Sequence, residues 1–339
     1  MILKFLKQEM LIPKEEYIIN KRVNIRGKDV LLLSLTQEGD NNCLWFIYEQ
    51  EEFTSERTVD NYRNVFLTNR DRLLDSIDSR SSSTNIHIKE MKIQDYIMRF
   101  DSSNSSHIYN MNRQGIMRLQ HFVEKGLISE EWDGVKLENL VISQHKQRDG
   151  EELPKLDMTK DLNIRLGLGS DSLEIPIQHP FKADFGKQEI GKKIEYYDEH
   201  LGKEKIVFID EIYSFNPYEN IKDQFEEIED LEIRRNAIKT MIEALEKIYP
   251  RDVNILVIKY ETLEDVQLNF NMVDYLQDKP IINNSGVGII WGSKDKEIGI
   301  NGYKIRECVL HPIDKDFTGQ LELELFSKYI KIPEEIIEI

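Results

Sequence analysis

The chain has few of the residues that would make its chemistry easy to read. Of 339 residues only Cys43 and Cys308 are cysteines, far apart in sequence. That argues against a disulfide framework and leaves no Cys pair at zinc spacing, so the expected compartment is a reducing cytoplasm. No apolar run approaches the roughly 20 residues needed to span a bilayer, so no membrane role is expected. Met1 to Leu11 carries two Lys in an apolar stretch, but no small-residue cleavage pattern follows, and it is not read as a signal peptide. Positive charge is also in deficit. With 45 Lys and Arg against 62 Asp and Glu the net charge is −17, which disfavours broad binding to phosphate backbones. His145-Lys146-Gln147-Arg148 and Arg234-Arg235 are the densest basic groups, and both are short. No two of the seven histidines have the three- or four-residue spacing of a metal site. There is no Gly-x-Ser-x-Gly elbow, no internal repeat, and no low-complexity tract beyond two serine-rich stretches.

What is present fits a protein with a real core: 40% apolar and 32% charged residues. The length favours two domains. The charged stretch from Lys146 to Lys155 marks a boundary, giving an N-terminal domain over 1–145, a linker over 146–158 and a C-terminal domain over 159–339. The abundance of Ile, Asn, Lys and Glu suggests a bacterial or phage source.

The central stretch is Lys205 to Tyr213, an apolar run ending in Asp210-Glu211. Four consecutive apolar residues, Ile206 to Ile209, predict a strand buried on both faces. Asn216-Pro217-Tyr218-Glu219 has the form of a helix start. Apolar spacing from Ile221 to Ile248 predicts a long helix to Tyr249, with an acidic run from Glu226 to Glu232. Val253 to Ile258 reads as a second interior strand. Together they predict a βαβ unit with a right-handed crossover.

Elsewhere, Val30 to Leu35 and Cys43 to Tyr48 flank a Gly-Asp-Asn-Asn turn and predict a hairpin. Ser55 or Thr58 starts a predicted helix, Ile86 to Ile93 a strand, Asp101 to Ser106 a loop, and Met111 to Val123 a helix ended near Gly126. Ile164–Leu168 and Leu173–Ile177 predict a hairpin with Pro176 at an edge. Phe185 to Leu201 shows a helical stripe. Strands are expected at Val287–Trp291, Glu297–Ile300, Tyr303–Leu310 and Leu321–Phe326, with Asn301-Gly302 as a type I′ turn. The expected fold class is mixed α/β (α+β). It has a small N-terminal α+β domain and a larger C-terminal domain with a βαβ unit and antiparallel hairpins.

Candidate chemistry centres on Asp210 and Glu211, placed by the βαβ reading at the ligand-binding edge of a sheet. Such carboxylates can hold Mg²⁺ and, with Asp184 or Asp198, support phosphodiester cleavage. Against this, neighbouring strand residues point to opposite faces, and a strand end with solvated acids, or with Asp210 paired to a nearby Lys, is the favoured reading. His179, with Asp184 near it, and His311, with Asp314 near it, each end a strand beside a proline. Gly186 to Lys193 has Walker A spacing, but Lys193 stands where the Mg²⁺-binding hydroxyl belongs. Glu90-Met91-Lys92 with Asp78 is the loosest form of a nuclease core. Gly167 to Ser172 could present backbone N–H groups to an anion, but a hairpin turn accounts for them better, and Cys308 reads as buried filler. The leading expectation is a cytoplasmic protein-interaction or regulatory subunit, partnered by another protein or by self-association. The alternative is a metal-dependent phosphoesterase or nuclease centred on Asp210 and Glu211. A host-defence setting suits either.

Overall fold

The computed structural model describes residues 5, 7, 9–50, 67–82, 86–108, 112–219, 221, 225–246, 249–264, 266–280 and 298–339. About 51% of the chain is strand and 19% helix. Every strand pair of defined register is antiparallel. The expected α/β class is therefore corrected to a predominantly β fold without the βαβ unit. The chain divides into two units: unit 1 comprises 1–56, 79–172 and 331–339, and unit 2 comprises 57–78 and 173–330. Residues 146–158 lie within unit 1.

Unit 1 is built on β1 (Glu15–Ile25), β2 (Lys28–Glu38), β3 (Asn41–Glu49), β4 (Ile88–Ile93), β5 (Tyr96–His107), β6 (Leu140–Gln147), β7 (Ile164–Leu168) and β15 (Glu335–Glu338). They form one sheet in the order β1-β2-β3-β6-β5-β4-β7-β15. A single apolar cluster takes residues from all eight strands, from Ile25 and Leu32 through Phe46, Val141, Phe100 and Met91 to Leu166 and Ile337. The sheet therefore curls around it. Its other face packs Leu33, Trp45 and Ile47 against Phe122 of helix α2 (Arg113–Glu124) and Trp132. Under this two-sided cover Val30 to Leu35 is buried without a break, Ser34 included. The β2–β3 hairpin is present, with Gly39 at φ +66 opening its two-residue turn. Helix α2 ends where Gly126 adopts φ +68.

Unit 2 holds a four-stranded sheet, β13-β11-β10-β9, and a three-stranded sheet, β12-β14-β8. The strands are β8 (Asp171–Asp184), β9 (Gly186–Asp198), β10 (Lys203–Phe215), β11 (Val253–Thr262), β12 (Gln267–Met272), β13 (Ile305–Asp314) and β14 (Gln320–Ile332). The unit also carries most of helix α1 (Asn69–Ser82), with helices α3 (Leu231–Glu246) and α4 (Val273–Gln277). Its main cluster packs Ile194, Val207, Ile209, Ile258 and Tyr260 of the first sheet with Phe270, Leu323 and Leu325 of the second.

Several expectations are overturned here. Ile206 to Ile209 and Val253 to Ile258 are neighbours, but β10 and β11 pair antiparallel, with Ile209 opposite Tyr260. Two buried faces also occur in antiparallel sheets, and here the outward Phe208 is covered by the ring of Tyr303 at 6.2 Å and 9°. The helix after β10 starts at Leu231, not Pro217. Asn216 only closes a turn, accepting from Tyr218 N at 3.0 Å, whereas Asp230 Oδ1 caps α3 through Glu232 N (2.8 Å) and Ile233 N (3.0 Å). The stripe from Phe185 to Leu201 belongs to β9 and its turn, so the Walker-like glycines lie in a strand. β7 and β8 belong to different sheets and are not a hairpin, although β8 does lie at an edge, which suits Pro176. The serine-rich 101–106 segment lies in strand β5. Asn301 has no positive φ, while Gly302 has φ +84, so the turn is not type I′. Expectations at Ser55/Thr58 and Val287–Trp291 fall outside the described residues. None of the described helices is long and apolar enough to cross a membrane.

Candidate functional site

Asp210 sits at an irregularity in β10. Pairing with β11 steps from Ile209↔Tyr260 to Glu211↔Lys259, so Asp210 is an extra residue on its strand. On the other side pairing jumps from Lys192 to Lys187. This bulge brings Asp210, 6% exposed, to Glu261 of β11, which is fully buried. Glu261 Oε1 accepts from Asn301 N and Asn301 Nδ2, both at 3.0 Å, and Oε2 accepts from Tyr303 N at 2.8 Å. Asp210 lies beside the same carboxyl group and acts on its titration.

Burial alone would raise the Glu261 pKa. The two backbone N–H groups, the Asn301 amide and Asp210 outweigh it and hold Glu261 below the usual carboxylate range.

Two glycines make the arrangement possible. A Cβ on Gly191 (φ +63) would lie 2.8 Å from Asn301 Nδ2 and 3.4 Å from Asp210 Oδ1, and one on Gly299 would fall inside the Glu261 carboxyl. The 299–303 turn is closed by Gly299 N→Tyr303 O at 2.8 Å and Gly302 N→Gly299 O at 3.0 Å. It lies over the carboxylates like a latch.

The other candidates do not join this pair. Glu211 is 3.6 Å from Lys259, which also faces Glu307 at 3.9 Å and the Tyr213 ring at 5.2 Å. Tyr213 donates to Glu307 at 3.1 Å, and burial followed by that carboxylate pushes its phenol pKa up. His179 lies against Tyr196 at 6.5 Å. Asp184 is exposed and accepts from Gln320 at 3.2 Å. Asp198 is held in a buried ion pair with Lys328. Among the described residues no three His, Cys, Asp or Glu side chains gather as a metal site. Glu261 was not singled out from sequence. It sits in a strand among Lys259, Tyr260 and Thr262, and the residue that identifies it, Asn301, is 40 positions away.

No family model matches the sequence, and no curated protein matches it. One solved structure, "The crystal structure of the conserved domain protein from Bacillus anthracis", shows a slight likeness. It is 9% identical over 96% of this chain and 91% of that one, with a TM-score of 0.19. That likeness is too low to carry an argument. Chemically, the site is two neighbouring buried carboxyl groups, of which Glu261 fastens the 299–303 turn.

Proposed function

We propose that this chain is a cytoplasmic protein-interaction or regulatory subunit of a bacterial or phage complex. The supporting observation is the apolar end of the four-stranded sheet. Tyr197 is 55% exposed, Leu201 45% and Leu263 57%. Tyr197 pairs across the hairpin with Glu204, and Glu264, next to Leu263, forms ion pairs with Lys203 and Lys205. Exposed apolar side chains at the ends of adjoining strands β9, β10 and β11, rimmed by charge, have the composition of a docking patch. The net charge of −17 selects its occupant: a partner protein presenting apolar side chains ringed by Lys and Arg.

The test compares wild type with Tyr197→Ser/Leu201→Ser/Leu263→Ser by cross-linking in producing cells and by light scattering of the purified chain. A stoichiometric basic partner bound by wild type and lost in the variant is expected. A dimer in light scattering would replace the basic partner with a second copy. A monomer that cross-links identically in both forms would overturn the reading.

A further inference from the structure

In unit 2, helix α1 brings Arg72 to Tyr275 of α4 and His311 of β13. The His311 ring stacks on Tyr275 with centroids 3.4 Å apart at 20°, and its Nε2 lies 3.0 Å from Asn271 Oδ1. An amide oxygen only accepts, so His311 keeps its proton on Nε2 and presents a lone pair at Nδ1. Arg72 Nη2 donates to the Tyr275 hydroxyl at 3.1 Å.

The charge balance here is unusual. Arg70, two residues earlier, is held by both oxygens of Glu324, at 2.6 and 2.5 Å. Arg72 forms no ion pair with any described carboxylate, and its Nε is buried without an acceptor. This occurs in a chain with 62 acidic residues. A buried donor on a charged group gives up its hydration, and without an acceptor nothing repays that loss. Burial first, and the Arg72 charge second, push the His311 pKa down to about 4, so the ring stays neutral near pH 7. Arg72, Tyr275, Asn271 and His311 are each partly exposed.

We propose that Arg72 and His311 form a binding site for a small oxyanion, a phosphate or carboxylate group. The guanidinium supplies the fixed charge and planar donors. The incoming negative charge favours protonation of His311, whose Nδ1 then becomes a second donor. Binding near neutral pH therefore takes up a proton.

The experiment titrates the full chain at pH 6 and pH 8 with inorganic phosphate, phosphoserine or acetate at constant ionic strength. It follows the His311 ring nitrogens by NMR and the melting temperature. At least one oxyanion is expected to bind in the millimolar range, more tightly at pH 6, and to shift His311 towards its protonated form. Arg72→Gln should weaken this at least tenfold, while Arg235→Gln, on an exposed helix face, should leave it unchanged. If Arg72→Gln does not fold, His311→Gln serves instead: it retains Arg72 and should bind more weakly with the pH dependence gone. Phosphate or phosphoserine binding without acetate binding would assign a phosphate ligand, and the reverse a carboxylate. No response to any of the three, or equal responses in wild type and the folded variant, would overturn the proposal.

Discussion

His145 lies between Phe46 at 5.1 Å and Phe100 at 5.9 Å, 1% exposed, with its Nε2 accepting from Ile88 N at 3.3 Å. Burial, then the nearby His87, lower its pKa from 6.5 to about 4. The unfolded chain takes up this proton first, so the stabilising contribution is complete above pH 6.5 and is lost as pH falls towards 4. The full loss is about 3 kcal/mol. Urea midpoints measured from pH 7 to pH 4 should fall, and His145→Gln, which keeps an acceptor but no titrating group, should flatten the decline. At the carboxylate pair, Gly299→Ala should destabilise by about 2–4 kcal/mol, since the Glu261 it strikes is anchored by three N–H groups and cannot withdraw. Gly134, with open space around it, should tolerate Ala within about 0.5 kcal/mol. Equal midpoints for the two variants would show that Glu261 is not fixed.

Individual elements were legible from sequence where apolar residues formed a bounded run, as in β2 and β3, or followed a simple period. β2, β3, β4 and α2 emerge this way, and α2 also carries its start signal. Asn112 Oδ1 accepts from Gly115 N at 2.9 Å while its Nδ2 donates to His107 O at 2.9 Å. Asn112→Ala should therefore cost about 1–2 kcal/mol, read as a lower denaturation midpoint, with Asn112→Ser recovering part of it. β5 was hidden because its exposed half is serine-rich, and Ser105 meets Ser143 at 2.6 Å rather than an apolar neighbour. β9 was misread because Ile190, Ile194, Tyr197 and Leu201 fall at helical spacing while the strand's own alternation is broken at its irregular pairing with β10. The bulge at Asp210 had no local signature either. It depends on the register of two partner strands, which no short window contains.

For the whole molecule, the sequence supported two bodies and a substantial core, but not how the chain is shared between them. Short loops and two-sided burial imitate α/β patterns when both faces of an antiparallel sheet are covered. The ends of the unit 1 sheet meet at Arg26, whose Nη2 donates to Gly169 O at 2.7 Å and to Pro333 O at 3.1 Å, with Glu335 4.0 Å from its Nε. Arg26→Ala should lower unit 1 stability by about 2–3 kcal/mol. Lys160→Ala, at a pair 74% exposed on the lysine side, should change it by less than about 0.5 kcal/mol. Hydrogen exchange of β7 amides would report the difference, and unchanged protection in Arg26→Ala would count against a clasp at this seam.

The placement of β15 also affects how the protein is made. Its partner β7 leaves the ribosome about 170 residues ahead of it, an interval of roughly 9–34 s at ordinary elongation rates. Throughout that time the open flank of β7 has no strand to pair with, so the newborn polypeptide carries an unguarded edge until the last stretch of unit 1 arrives.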